Sequence, residues 1–252
     1  MVGLIVGGSL ARGGADFFSD IDLYVVVRDG AFEAVLAERD AAAGFVGNPL
    51  FRFDVEPVPG GSRDQIVVFE GPIKLDFMYH RESELSPGRK WAARPVLEDE
   101  AGRLASLVSR SADSTPPSPT AENLCSLNQK FWTWCWYVFG KIVRGELWEA
   151  LDGIHSIRTL ALLPLLDWHA GRSREGYRRL ERKVDPEMAA CLQATVPTPR
   201  PDPLYTALRA EIGLFRDLRE AVFDTHEVIF HPGPERIVED AMGRIWAARG
   251  GG

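Results

Sequence analysis

The chain is predicted to be α+β, with a small mixed β-sheet domain carrying helices, followed by an all-α helical-bundle domain. Three observations carry that prediction. Apolar residues recur mostly with period two up to residue 108, and mostly with a period near 3.6 from residue 121 onward. Between the two lies a run from Ser109 to Thr120 that includes Pro116, Pro117 and Pro119 and reads as a linker. Strands grouped first and helices grouped afterwards point to α+β followed by a helical unit. The domains are therefore placed at 1–108 and 121–252, with the Pro/Ser-rich linker at 109–120.

In the first part, Gly3 to Val6 is an apolar strand ending in Gly7-Gly8-Ser9, and Asp20 to Val27 is a second strand. Ala31 to Ala43 reads as a helix closed by Gly44. Leu50 to Glu56 and Gln65 to Phe69 read as strands joined through a turn at Pro59-Gly60-Gly61. Ile73 to His80 is a further strand after Glu70-Gly71-Pro72. The second part gives five helices, at Ala121–Arg144, Glu146–Ala170, Arg174–Thr195, Pro203–Thr225 and Glu235–Arg249. Their short connections favour antiparallel neighbours in a bundle.

Composition narrows the function classes. The 252 residues carry 29 basic and 36 acidic side chains, for a net charge of -7. That balance argues against a surface that grips long nucleic acid. It leaves room for a small nucleotide held by a loop and a metal. Three cysteines without a C-x-x-C pair give neither a disulfide framework nor a zinc knuckle. The apolar start is too short for a signal peptide, and the most apolar helix, Phe131 to Val143, is interrupted by Lys141. A cytoplasmic protein with no membrane partner is expected, as monomer or homodimer.

The stretch from Gly7 to Val27 carries the chemistry. Gly7 and Gly8 permit a tight turn with exposed backbone N–H groups, and Ser9 stands where a short helix can begin, a place for phosphate oxygens. Asp20 and Asp22 enter the next strand two residues apart, so they share a face. Ile21, Leu23, Val25 and Val27 take the opposite, core-facing side. A third carboxylate, Asp76, shares a face with Lys74, Met78 and His80, while Leu75, Phe77 and Tyr79 take the other. If this strand lies beside the Asp20–Val27 strand, the three acids form a hard-oxygen site suited to Mg²⁺. Such a set can hold two ions roughly 3.5–4 Å apart, the clamp used for in-line phosphoryl displacement.

Other readings of these motifs fail on order. A P-loop needs a Gly-Lys-Ser/Thr that is absent. A dinucleotide fingerprint wants its acid at the end of the next strand, whereas Asp20 and Asp22 open one. In a haloacid-dehalogenase pattern D-x-D follows its hydrophobic strand, and here the strand follows the D-x-D.

On these residues the sequence resembles the DNA polymerase beta-like nucleotidyltransferase superfamily. Gly8-Ser9, Asp20-Ile21-Asp22 and Asp76 match its pattern in order and spacing. The form Gly7-Gly8-Ser9, then Ala11-Arg12-Gly13, together with the helical second half, is similar to the antibiotic nucleotidyltransferases of the lincosamide and aminoglycoside group. That group usually carries a helix before the first strand. Here Gly7 comes early, so either this member lacks that helix or the true start lies upstream.

The resemblance implies a Mg²⁺-dependent transfer of a nucleoside monophosphate, AMP from ATP, to a hydroxyl of a small acceptor such as an antibiotic. Asp20, Asp22 and Asp76 would be the catalytic and metal-binding acids. Gly8 and Ser9 would hold the terminal phosphates, with Arg12 either assisting or solvated. Asp76 would act on the acceptor hydroxyl as base or orienting group.

In the helical half, Lys141 and Arg158 each sit in an apolar stripe where a cation must find an anion or snorkel out. In relatives a basic residue of that domain approaches the triphosphate, which makes both candidates for nucleotide binding. Lys141 near a helix C-terminus could equally complement the dipole. Lys74 and His80 suit a solvated strand, and Phe131 to Tyr137 suits a buried central helix. The alternative on the same fold is a non-catalytic nucleotide sensor or antitoxin-like partner protein.

Overall fold

The computed structural model describes residues 1–56, 61–71, 73–174 and 176–249. It divides into two compact units, Met1–Thr115 and Pro116–Gly252.

The first unit is built on a six-stranded mixed sheet. Its strands are β1 (Gly3–Val6), β2 (Ile21–Val27), β3 (Pro49–Asp54), β4 (Arg63–Phe69), β5 (Ile73–Arg81) and β6 (Val96–Asp99). The order is β3-β4-β5-β2-β1-β6. The central pair β2–β5 is parallel, with Asp22 opposite Asp76 and Val25 opposite Tyr79. The remaining pairs are antiparallel. Val25, Val26 and Val27 are all buried, so the C-terminal half of β2 is covered on both faces, as a central strand should be.

One face carries Val25, Val27, Val67, Leu75, Phe77 and Tyr79 against Phe32 and Ala43. Those last two come from α2 (Phe32–Ala37) and α3 (Arg39–Val46). A single helix over this stretch is expected from periodicity, but the chain breaks at Glu38 and then runs on through Gly44. Arg39 holds the break, since its guanidinium donates to the Leu36 carbonyl and to Asp54.

The other face buries Ile5, Tyr24 and Val26 under Trp91, Leu104 and Leu107. Leu104 and Leu107 belong to α4 (Arg103–Ser111). This helix overturns the reading of Ser109 to Ser111 as linker. Leu104, Leu107 and Ser111 lie three and four apart and are buried, and the Asp99 carboxylate accepts from Leu104 N and Ala105 N to cap the first turn. His80 is also on this face and 6% exposed, so the reading of a solvated strand fails there. Pro59, Gly60 and Pro72 of the expected turns lie outside the described residues.

The second unit is helical: α5 (Ala121–Arg144), α6 (Leu147–Ile157), α7 (Leu163–His169), α8 (Pro186–Ala194), α9 (Pro201–Thr225) and α10 (Gly233–Arg249). Thr120 caps α5 by accepting from Asn123 N, and Gly145 ends it. Phe131, Cys135, Val138, Phe139 and Ile142 of α5 pack with Leu208, Ile212 and Phe215 of α9. Of the aromatic residues from Phe131 to Tyr137, the buried-helix reading holds for Phe131 and Trp132 only, since Trp136 and Tyr137 are exposed.

The helix expected over Glu146–Ala170 is continuous but contains a π turn at Arg158–Leu162. Pro164 has no N–H for the preceding turn, which supplies the physical reason. The helix expected over Arg174–Thr195 shrinks to α8. Pro186 is tolerated only in a first turn, and Asp185 caps that turn by accepting from Met188 N. Among the described residues no helix is long and apolar enough to cross a membrane.

Candidate active site

The turn after β1 begins the site. Gly7 N donates to the Asp22 carbonyl, which ties the turn to β2. Four residues, Gly8–Ala11, then form α1. Gly8 has φ +58° and lies against the Asp22 side chain so closely that a Cβ there would overlap the carboxylate. Ser9 is buried beside it. The Gly-Gly-Ser turn and the second acid of the D-x-D are therefore one packed unit, with only glycine compatible at position 8.

The parallel register brings the third acid in. Asp22 faces Asp76 across β2–β5, on the same sheet face. Lys74, one pleat earlier on β5, donates from Nζ to Asp20 Oδ2 and Asp76 Oδ2, at 2.8 Å each. Burial pulls the Lys74 pKa down, but its hydrogen bonds to Asp20 and then Asp76 outweigh burial and leave it raised. Lys74 is therefore not the solvated strand residue expected. Asp76 Oδ1 is buried without a hydrogen-bond partner.

These observations bear on whether the residues fit a divalent cation. The acids are hard oxygen donors on β5, on β2 and just before β2, the Asp76 Oδ1 oxygen is buried without a hydrogen bond, and a cation already bridges Asp20 and Asp76. Among the described residues no three acidic, His or Cys side chains are gathered as a metal cage. The Lys74 ammonium lies between Asp20 and Asp76, where such a cage would close. The donor set fits, in a lysine-bridged state.

Periodicity did not single out three further residues on this face. Asp64, opposite Met78 on the β4–β5 ladder, points the same way as Asp76, and its Oδ1 is buried without a hydrogen-bond partner. Lys90 Nζ stands 4.9 Å from the Tyr24 ring centre, 4.7 Å from the Trp91 ring centre and 3.1 Å from His80 Nε2. Burial, and then Lys90 itself, push the His80 pKa down to about 4, so the imidazole is neutral. Burial also lowers Lys90.

Arg94 donates from Nε to the Lys90 carbonyl, while its Nη1 is buried without a partner. Pro95 O accepts from Val6 N, which pins this basic segment beside the start of the Gly-Gly-Ser turn. Burial raises the Tyr24 hydroxyl pKa, and Arg94, Asp22, Asp64 and Arg12 all act on it in that order. The signal missed in the sequence was two cations four apart around Trp91, in a segment without periodicity.

The two cations expected in the helical unit are held there. Lys141 is paired with Glu146 and Glu149. Their hydrogen bonds raise its pKa, while Lys141 and then Arg144 hold Glu146 down to about 2. Arg158 is 8% exposed and donates to Thr195 O, Thr195 Oγ1 and the Tyr177 hydroxyl. Near it lies Glu211, fully buried with neither carboxylate oxygen bonded. Burial drives its pKa well up, against a smaller opposing pull from Arg158.

A family model described as streptomycin adenylyltransferase matches residues 3–240. The fold is similar to that of an aminoglycoside 6-adenyltransferase from Bacillus subtilis. That match has 20% identity and a TM-score of 0.50, and covers 96% of this chain and 91% of that one. A nucleotidyltransferase-like protein from Exiguobacterium sibiricum aligns over 88% of this chain and 72% of that one, with 13% identity and a TM-score of 0.41. No curated protein matched the sequence.

Proposed function

The chain belongs to the streptomycin adenylyltransferase family and is an adenylyltransferase, and on that premise we propose that it moves AMP from ATP to a hydroxyl of an aminoglycoside such as streptomycin. The observation that carries this reading is the juxtaposition of Asp22 and Asp76 in register, with the Gly7-Gly8-Ser9 turn packed on Asp22. A net charge of -7 suits the encounter with a polycationic acceptor.

In this reading the backbone of Gly8 and Ser9 cradles the β- and γ-phosphates, at a turn built for anions. Arg12, Arg94 and Lys90 flank that turn and neutralise the pyrophosphate. Lys141 and Arg158 are already committed to partners inside the helical unit, so this set is drawn from the catalytic unit. Asp20, Asp22 and Asp76 would hold Mg²⁺. When bound, the metal neutralises charge on the transferring and leaving phosphates.

Asp76 Oδ1, buried and without a partner, accepts a hydrogen bond from the acceptor hydroxyl and takes its proton. The hydroxyl oxygen bonds to the α-phosphorus as the bond to the bridging oxygen breaks, and pyrophosphate leaves. Positioning and charge neutralisation supply most of the rate.

The test is pyrophosphate release from ATP and Mg²⁺ across a panel of aminoglycosides and lincosamides, with the adenylylated product identified by mass. Release with an aminoglycoside and its loss in Asp22→Asn by about a hundredfold or more are expected. Full transfer activity in Asp22→Asn would sink the mechanism. Release with lincosamides alone would replace the acceptor.

A further inference from the structure

Lys74 has no task in the mechanism above, yet it occupies the middle of the site. A lysine on a solvated strand extends its ammonium into water, because a held rotamer costs entropy and desolvation. Here Nζ sits at 2.8 Å from one oxygen of Asp20 and one of Asp76. Asp20 stands just before β2 and Asp76 lies within β5, 56 residues apart in sequence, and the two acids would otherwise repel. The ammonium also sits between the very oxygens that a divalent cation would need. A point charge with three donors can neutralise such a pair, but it leaves Asp76 Oδ1 unserved.

We propose that Lys74 is the resident counter-ion of the acidic site, a positioning residue that holds Asp20 and Asp76 together in the metal-free protein and competes with the incoming divalent cation for their oxygens. This rests on the reading of Asp20, Asp22 and Asp76 as the metal site. Its consequence is ordered loading. The bare protein binds the cation weakly, because a carboxylate gained by the metal is a carboxylate lost by Lys74. Arriving nucleotide changes the exchange, since its phosphates offer the displaced ammonium new anionic partners. Metal and nucleotide then reinforce one another, and a metal-only state of the bare site is disfavoured.

The experiment measures Mn²⁺ binding to the nucleotide-free full chain, by calorimetry and by the paramagnetic resonance of free Mn²⁺. Lys74→Met is expected to bind Mn²⁺ about tenfold tighter than the parent, because the competing charge is gone and the three acids repel. Its melting temperature in chelator should fall, and Mn²⁺ should raise it by more than it raises the parent's. Lys74→Arg keeps the charge and should stay near the parent. Lys74→Gln removes the charge with a smaller change of polarity, and should shift in the same direction if Lys74→Met fails to fold.

A purely structural role for Lys74 predicts looser metal binding on its removal, so equal or weaker Mn²⁺ affinity in a folded Lys74→Met or Lys74→Gln overturns the inference. Metal binding that is present in the parent and lost in Asp22→Asn, but unchanged by Lys74→Met, overturns the counter-ion role alone. Absence of Mn²⁺ binding in every variant, with ATP present or not, overturns the metal reading and the inference with it.

Discussion

Replacing Gly8 by alanine tests how the Gly7-Gly8-Ser9 turn and the strand that carries Asp22 are joined. The new Cβ would overlap the Asp22 carboxylate, 2.7 Å from its Cγ and 3.4 Å from its Cβ. Backbone at φ +58° adds a cost of about 1–2 kcal/mol for a residue with a Cβ. Gly13 separates the two effects. It has φ +66° but nothing within 4 Å of a Cβ, so Gly13→Ala carries the backbone cost without the collision.

Both variants should lose a few degrees of melting temperature, since about 1 kcal/mol shifts a chain of this size by roughly 2–4 °C. Only Gly8→Ala displaces Asp22, and a misplacement near 1 Å costs about 10²-fold in rate. The assay is pyrophosphate release at saturating ATP and Mg²⁺, with melting curves on the same preparations. A kcat/KM for Gly8→Ala within about threefold of Gly13→Ala would refute the reasoning. It would mean that the turn and Asp22 move independently.

The buried titratable groups give opposite pH slopes. The Glu211 pKa is raised in the fold by burial. Stability is therefore undiminished below the unfolded value near 4.5 and falls above it, by about 1.4 kcal/mol per pH unit until the folded pKa is reached. Glu211→Gln should flatten the decline in the helical unit's urea midpoint between pH 5 and 7, and an unchanged slope would count against a neutral buried acid. His80 is held down to about 4, so the sheet unit should lose stability as pH falls from 6.5 toward 4. His80→Gln should remove that loss, read as the melting temperature at pH 5 against pH 7. Arg94→Met should raise KM for ATP about tenfold or more and leave the acceptor KM near its parent value, since the proposed charge contact to phosphate would be lost. A change confined to the acceptor would reassign Arg94. Thr120→Ala removes the α5 cap and should cost about 1 kcal/mol in urea unfolding, with no change in kcat.

The candidate site was legible where chemistry and local geometry coincide. Gly8 and Ser9 fall in a short turn, and Asp22 and Asp76 fall on strands where a period of two assigns a face without tertiary knowledge; Asp20 was expected in the strand too, but β2 begins at Ile21. Asp64, Lys90 and Arg94 were not legible, because their place depends on which strand lies beside β5 and on the Pro95–Val6 bond. The fold shows the same division. The boundaries of α5 follow from Thr120 and Gly145, both local signals. The helix Arg103–Ser111 was hidden because its cap, Asp99, stands before a left-handed Gly102, and its last turn looked like serine-rich linker. Lys74 reads as a surface lysine until Asp20 is placed beside it.

The parallel register of β2 and β5 also acts as a proofreader. A shift by one residue would turn Asp20 and Asp22 into the layer that holds Val67, Phe77 and Phe32, while Val25 and Val27 would face the site. The apolar layer thus rejects any slip by an odd number of residues, which would turn Asp22 away from Asp76. Lesions in that layer should accordingly show themselves as fewer active molecules rather than slower ones. Titrating the competent fraction in a Phe77→Leu preparation would find each surviving molecule turning over at the parental rate.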